Sequence, residues 1–295
     1  MRYLITGGSG FVGRALCSDL CAAGHEVAVL SRSPRRARRR LPDSVRTVGT
    51  FEEVSGAEAV VNLAGENLAA GRWTPARKQA LRESRIGTTR RLVQWIGNLT
   101  DRPQVLVSAS AIGYYGARGD EAVDESTPPA DDFPARLCRD WEAEAERAAD
   151  LGVRVCVLRI GLVLGSDGGV LARMLPAFRL GLGGPIGSGR QWMSWIHRQD
   201  LVSAIRWCAE RAQPRGANNA TAPNPVTNLE FARALGRALH RPALLPVPAR
   251  LLKLALGEMA TLLLTGQKVL PERLLAEGFT LRYPRLDDAL AALLH

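Results

Sequence analysis

Tyr3-Leu4-Ile5-Thr6-Gly7-Gly8-Ser9-Gly10-Phe11-Val12-Gly13 is the stretch on which the fold turns. An apolar run enters a segment that holds four glycines in seven positions. The glycines fit G-x-G-x-x-G at 8, 10 and 13, and G-x-x-G-x-x-G at 7, 10 and 13. Glycine in this setting permits a tight turn, lets backbone N–H groups approach a pyrophosphate, and lets the next helix pack on the sheet. Residues 14–23 have helical spacing, with Ala15, Leu16 and Leu20 on one face and Gly24 as a stop. Residues 27–30 are a second apolar strand. A βαβ unit of about thirty residues with glycines at its strand-to-helix turn predicts a dinucleotide site. The partial positive charge of the helix N-terminus faces the phosphates there.

The alternation continues outward. Strands are predicted at 59–63, 105–107 and 153–158, and helices at 75–95 and 136–149. Uninterrupted apolar strands between helices indicate an α/β fold, a Rossmann-type doubly wound parallel sheet covered on both faces. Residues 165–189 read as loop-rich, with seven glycines from Gly168 to Gly189. Beyond 223, Pro and Gly punctuate short helices. The expected division is a nucleotide-binding domain at 1–165, its sheet completed by parts of 190–222, and a smaller substrate lobe at 166–295. That lobe includes a small terminal domain at about 245–294.

Composition narrows the function classes. The chain has 295 residues, 46% apolar and 23% charged, which excludes a disordered or fibrous protein. The most apolar stretch, residues 251–264, is broken by Lys253 and Glu258, so neither a membrane span nor a membrane partner is expected. The chain enters its first strand without the charged start and cleavage site of a signal peptide, and is expected to be cytoplasmic. Cys17, Cys21, Cys138, Cys156 and Cys208 form no CxxC pair, which suits a reduced compartment and predicts no metal site.

Charge and strand ends indicate the cofactor. The net charge is 39 − 29 = +10, a field that attracts anions. An NAD-selective site usually places Asp or Glu after the second strand. This chain has Ser31-Arg32, which favours the 2′-phosphate of NADP. The basic run at 35–40 has no interleaved aromatic residues for base stacking. It reads as solvated surface, or alternatively as extra attraction for the 2′-phosphate, with no specific nucleic-acid partner.

Four later segments narrow the family: Asn62-Leu63-Ala64-Gly65-Glu66-Asn67, Ser110-Ala111-Ile112-Gly113-Tyr114-Tyr115-Gly116, Gly181-Leu182-Gly183-Gly184-Pro185-Ile186-Gly187-Ser188-Gly189, and Trp192-Met193-Ser194-Trp195-Ile196-His197. With the Thr-Gly-Gly-x-Gly-Phe-x-Gly start, the chain resembles, nearly end to end, the NAD-dependent epimerase/dehydratase-like family of extended short-chain dehydrogenase/reductases. Its sugar-nucleotide-epimerase-like members carry a small C-terminal domain of unknown function. The resemblance implies that Gly7, Gly10, Phe11 and Val12 hold the pyrophosphate and that Ser31 and Arg32 hold the 2′-phosphate. It also implies that Leu63, Ala64 and Gly65 pass beneath the adenosine, that Arg85 reaches the cofactor from the side, and that Val163 lies near the nicotinamide.

Short-chain dehydrogenases usually pair a Ser or Thr with Tyr-x-x-x-Lys to move a proton while hydride moves on the nicotinamide. Ser110 matches the serine. The helix that should carry the other motif reads Leu137-Cys138-Arg139-Asp140-Trp141-Glu142, with neither tyrosine nor lysine. Arg139 is a poor proton carrier. Tyr114 and Tyr115 are the nearest phenols, as proton donors or as packing aromatics. Glu66 could act as acid or base or cap a loop, with Asn67 beside it. Arg190 and Gln191 follow the glycine-rich segment and suit an anionic substrate group. His197 reads as a structural hydrogen bonder, and Asp200 as the N-cap of a helix at 201–210. The expected function is an NADP-dependent oxidoreductase or epimerase-like enzyme. Its substrate would be a small, anionic carbonyl, alcohol or nucleotide-sugar. The alternative, suggested by the absent Tyr-x-x-x-Lys, is an NADP-binding sensor or scaffold.

Overall fold

Seven parallel strands form the central sheet of the computed structural model, which describes residues 1–294. In chain order they are β1 (Arg2–Thr6), β2 (Glu26–Leu30), β3 (Arg46–Val48), β4 (Ala59–Asn62), β5 (Val105–Ala111), β6 (Arg154–Ile160) and β7 (Gly216–Ala220). Their order in space is β7-β6-β5-β4-β1-β2-β3. The chain reverses its direction of winding at β1, and an open α/β sheet binds ligands outside the carboxyl ends at such a switch point. Thr6 is in register with Leu30 on one side and Asn62 on the other. The exits at Gly7, Ser31 and Leu63 therefore lie side by side.

The strands bury both faces, as their unbroken apolar sequences require. Tyr3, Ile5, Val61, Val107 and Leu158 join the larger core. It includes Leu16 and Leu20 of α1 (Phe11–Ala22), and Leu201 and Ile205 of the helix after Trp195–His197. Leu4, Val60, Leu106 and Val157 face the other way, onto Leu92, Ile96 and Ala145. The helical rod expected at 75–95 is α2 (Pro75–Arg82) and α3 (Thr88–Gly97), joined by a π-helical turn at Glu83–Gly87. Helix α4 (Phe133–Glu146) starts three residues earlier than its spacing indicates, because the Asp132 carboxylate accepts the Ala135 N–H at 2.9 Å and caps it.

Two local expectations are corrected. The stretch at 165–189 is not all loop: α5 (Gly169–Arg179) lies within it and buries Leu171, Leu175 and Phe178. The helix α6 (Arg198–Glu210) is capped by His197, not Asp200. The His197 Nδ1 accepts the Gln199 N–H at 3.1 Å, the structural role expected of it. Asp200 lies within the first turn, buried, and accepts the backbone N–H groups of Arg282 and Tyr283 at 2.8 and 3.0 Å. It clamps the segment at Arg282 and Tyr283 to α6.

The C-terminal lobe closes on the same sheet end. Lys268–Val269 pairs in parallel with Ala122–Val123. The Gln267 Nε2 donates to the Ile112 carbonyl at 2.7 Å, and the Ser194 Oγ donates to the Gln267 carbonyl at 2.8 Å. Among the described residues, no helix is long and apolar enough to cross a membrane, and no cluster of three His, Cys, Asp or Glu is placed to hold a metal.

His197 makes stability sensitive to acid. Burial, aided by Arg198 and Arg282, pulls its imidazole down to about 4. Unfolded, it titrates near ~6.5, so between those values the unfolded chain binds the extra proton. Stability should fall by about 2–3 kcal/mol as pH drops from about 6.5 to about 4. Urea denaturation at stepped pH should show this loss, and His197→Gln should flatten that part of the curve.

Candidate functional site

A cleft of about 820 Å³ runs along the carboxyl ends of β1, β2 and β4. Its floor is the glycine turn. Gly7 has φ +72°, and a Cβ there would lie 2.5 Å from the Leu63 carbonyl oxygen. A Cβ on Gly13 would lie 2.5 Å from the Gly7 carbonyl oxygen, so α1 seats directly on the turn. The N-cap of α1 is Gly10, which has no side chain to occupy the N–H groups of the first turn. Backbone donors at a helix N-terminus, with no side chain over them, fit a pyrophosphate. The Phe11 ring fills the space that side chains at Gly165, Gly168 and Gly169 would take, and Arg198 stacks on it at 4.8 Å. Val12 packs against the larger core.

One end of the cleft is strongly basic. Ser31, Arg32, Arg36 and Arg40 all line it. The Arg32 side chain is 90% exposed, with its Nη1 3.9 Å from the Glu66 Oε1. The basic run at 35–40 is therefore divided in its roles. Arg36 and Arg40 face the cleft, whereas Arg38 donates to the carbonyls of Pro42, Asp43 and Val45 and ties the chain before β3.

Leu63, Ala64, Gly65 and Glu66 line the same cleft. The Glu66 carboxylate pairs with Arg77, and its backbone carbonyl accepts from the Arg85 Nη2 at 2.9 Å. Arg85 sits in the π turn, buried, 3.0 Å from where a Gly65 Cβ would be, and over the Trp141 ring at 5.3 Å. It braces the exit of β4 from behind. The Asn67 Oδ1 accepts the Ala69 N–H at 2.9 Å and closes a turn. Val163 lies in a short strand, Leu162–Gly165, paired in parallel with Trp195–His197.

A buried polar cluster occupies the ends of β5 and β6. Ser110 and Arg159 are in register on these neighbouring strands. The Ser110 Oγ donates to the Glu142 Oε1 at 2.5 Å. Arg159 grips the same carboxylate with two prongs, Nε to Oε1 at 3.0 Å and Nη2 to Oε2 at 2.8 Å. The Arg159 and Glu142 side chains are 5% and 11% exposed. Tyr115 is buried; its hydroxyl donates to the Asn219 Oδ1 at 2.7 Å and accepts from the Arg159 Nη1 at 2.9 Å. Tyr114, half-buried, has its ring centre 3.4 Å from the Arg159 Cζ. Cys138, one turn before Glu142 on α4, lies beside Ser110, and burial pushes its thiol up to about 12.

Glu142, Arg159 and Cys138 were not among the expected site residues. Their signal was present: Arg159 is a charge set between Leu158 and Ile160, and Cys138 and Glu142 are one helical turn apart. The structure brings Ser110, Tyr114 and Tyr115 together around Arg159. It does not bring Glu66 to them, since Glu66 stands beside Arg32. Arg190 is exposed, and Gln191 donates to the carbonyls of Ile186 and Leu263 at 3.0 and 2.9 Å, tying the glycine-rich segment to the lobe.

Comparison with known proteins adds the following. The model of the NAD dependent epimerase/dehydratase family matches residues 3–220, and that of a domain of unknown function, DUF1731, matches residues 247–293. The chain is 45% identical over 303 residues to the chloroplastic homolog of epimerase family protein SDR39U1 of Arabidopsis thaliana, spanning 100% of this chain and 87% of that protein. It is 37% identical over 299 residues to epimerase family protein YfhF of Bacillus subtilis, spanning 100% and 98%. The crystal structure of human epimerase family protein SDR39U1 (isoform 2) with NADPH is similar at a TM-score of 0.90 and 37% identity, over 100% of this chain and 99% of that one.

Arg159 and Glu142 should be interdependent. Arg159→Met leaves a buried carboxylate without its cation and should cost about 3–5 kcal/mol in chemical denaturation. The double change Arg159→Met with Glu142→Leu should recover much of that loss, because the orphaned charge is gone.

Proposed function

Because the chain belongs to the NAD dependent epimerase/dehydratase family, we propose that it binds NADP and interconverts a small-molecule alcohol and carbonyl, with Ser110 and Glu142 as its proton route. The observation that carries this reading is the Ser110 hydroxyl held 2.5 Å from a buried carboxylate at the end of β5.

The residues present suit the cofactor. Gly7, Gly10, Phe11 and Val12 would hold the pyrophosphate against the α1 N-terminus. Ser31 and Arg32, joined by Arg36 and Arg40, would hold the 2′-phosphate. Leu63, Ala64 and Gly65 would lie under the adenosine, braced by Arg85, and Val163 near the nicotinamide. In this reading residues 1–165, completed by parts of 190–222, form the cofactor half, and the rest of 166–295 the substrate half. When bound, the cofactor supplies or accepts hydride.

The chain's own residues manage the proton. Ser110 donates its hydrogen to Glu142, which leaves its oxygen lone pairs free to accept the proton of a substrate hydroxyl. As that proton arrives at the Ser110 Oγ, the proton already there passes to the Glu142 Oε1. Reduction of a carbonyl runs the same route backward, from protonated Glu142. Arg159 holds the carboxylate in place for this exchange through its two-pronged contact. Epimerisation by oxidation and re-reduction uses both directions in turn. Tyr115 has both hydroxyl roles filled and acts by holding Arg159; Tyr114 is the phenol left to meet a substrate. Glu66 and Asn67 shape the cofactor side, and Arg190 offers a cation to an anionic substrate group, with Gln191 fixing the loop that carries it. A second reading, an NADP-binding sensor, draws on the same pair, because a carboxylate gripped at two points can serve structure alone.

NADPH should bind more tightly than NADH in fluorescence titration, and Arg32→Ala should erase most of that preference, about 1.5–3 kcal/mol. Equal affinities in the unmodified protein would overturn the choice of cofactor. In a screen of carbonyls and alcohols followed by NADPH absorbance, with a product assay for epimers, turnover should fall at least about 100-fold in Ser110→Ala and Glu142→Gln. Tight NADPH binding with no turnover across the screen would favour the sensor.

A further inference from the structure

The side of the C-terminal lobe formed by residues 180–187, 241–247 and α8 (Ala249–Leu256) carries an apolar surface that the proposed chemistry does not use. Two loops are zipped together there. The Leu245 N–H donates to the Gly183 carbonyl at 3.2 Å, the Val247 N–H to the Pro185 carbonyl at 2.8 Å, and the Gly187 N–H to the Val247 carbonyl at 2.9 Å. They hold out Leu180, Leu182, Leu244 and Leu245. Gly187 abuts Ala249, so α8 adjoins them and adds Leu251 and Leu254. Leu180, Leu244 and Leu254 are 74%, 79% and 74% exposed. No residue of α8 is buried. Soluble proteins seldom present so many leucines together without a partner for them.

The rim of this surface is basic. A groove of about 740 Å³ beside Leu244 is lined by Arg233, Arg237, His240 and Arg241. Arg233 and Arg237 are one turn apart on α7 (Asn228–Ala238). Arg250 and Lys253 stand among the leucines of α8. The acids near the groove are engaged: Asp287 pairs with Arg237 at 3.0 Å, and Glu230 accepts from Thr227 in a capping box. Protruding leucines framed by cations match the surface of an anionic bilayer, whose acyl boundary takes the side chains and whose phosphates meet the arginines. A second copy set on this face by a twofold axis would bring two arginine-rich rims together. A fluid lipid surface takes protruding leucines wherever they lie on the face, whereas a folded partner would need a matched pocket for each.

Against the expectation from sequence that there is no membrane partner, we propose that this face docks on anionic phospholipid membranes, peripherally and without a span. The geometry ties docking to the cleft. The Arg72 guanidinium donates to the carbonyls of Leu254 and Ala255 at the end of α8, and Lys78 of α2 pairs with Glu258 just beyond it. The segment between β4 and α2, which carries Glu66, is thereby fixed to the docking helix.

The test is co-sedimentation of the full-length protein with vesicles of phosphatidylcholine alone, or with phosphatidylglycerol added. Binding is expected only with phosphatidylglycerol, and it should weaken as salt rises. Leu180→Ser, Leu244→Ser and Leu254→Ser together should weaken it at least about tenfold, as should Arg233→Glu with Arg241→Glu. NADPH affinity and circular dichroism should stay unchanged in both variants, which separates loss of docking from loss of fold or of cofactor binding. No sedimentation at low salt would overturn the proposal. So would undiminished binding by the leucine variant, which would mean adsorption by net charge alone. Equal competition by soluble glycerol phosphate would reveal a site for free phosphate instead. A dimer in light scattering that the leucine changes dissociate would show that a second copy covers the face.

Discussion

The close approach of the glycine turn to the exit of β4 governs the cleft and the helix beside it. At Gly7 a backbone carbonyl from Leu63 occupies the place a side chain would need, and the residue adopts a left-handed φ of +72°. Both facts demand glycine there. With the turn so tight, α1 starts immediately, its N-terminus lies over the switch point, and its inner face seats Leu16 and Leu20 on the sheet. The same contact brings the segment from Leu63 to Glu66 into the cleft beside Arg32. The shape of the cleft and the packing of the strands are thus one constraint seen from two sides.

The second organising interaction is the Glu142–Arg159 pair. Taking two charges out of water costs several kcal/mol for each ion, and the pair offsets this only when its geometry is good and its other hydrogen-bonding positions are filled. Both conditions hold: the contact is two-pronged, and Ser110 and Tyr115 take further positions on the two groups. Apolar side chains of similar volume could stabilise this place equally well. A hydroxyl directed at a carboxylate gives the charged arrangement a use that an apolar one lacks.

Much of this was legible in the sequence, for local reasons. The glycine turn, the flanking strands and Arg32 at the second strand end are read from residues adjacent in the chain. The α5 helix was obscured because glycines bracket it on both sides, although Leu171, Leu175 and Phe178 keep helical spacing. Asp200 looked like a cap because it stands near a helix start. Its partners, the N–H groups of Arg282 and Tyr283, lie more than eighty residues away in the chain. Glu142 and Arg159 have the same character: Arg159 stands out between apolar neighbours, but only the packing of α4 against β5 and β6 joins it to Glu142. The part the tail plays in packing could not be read locally: Leu286, Ala289 and Leu290 are part of the larger core.

That tail bears on how the protein acquires its structure. Leu281, Leu286, Ala289 and Leu290 lie among the last fifteen residues, yet they seal the same core as Tyr3 and Ile5. During synthesis the first strands emerge long before residues 281–290, which complete the same core. The nascent core therefore keeps apolar surface open until those residues are made, an interval in which such a surface invites aggregation or a chaperone. A substitution that unseats Leu286 or Leu290 therefore opens the same core that Tyr3 and Ile5 share.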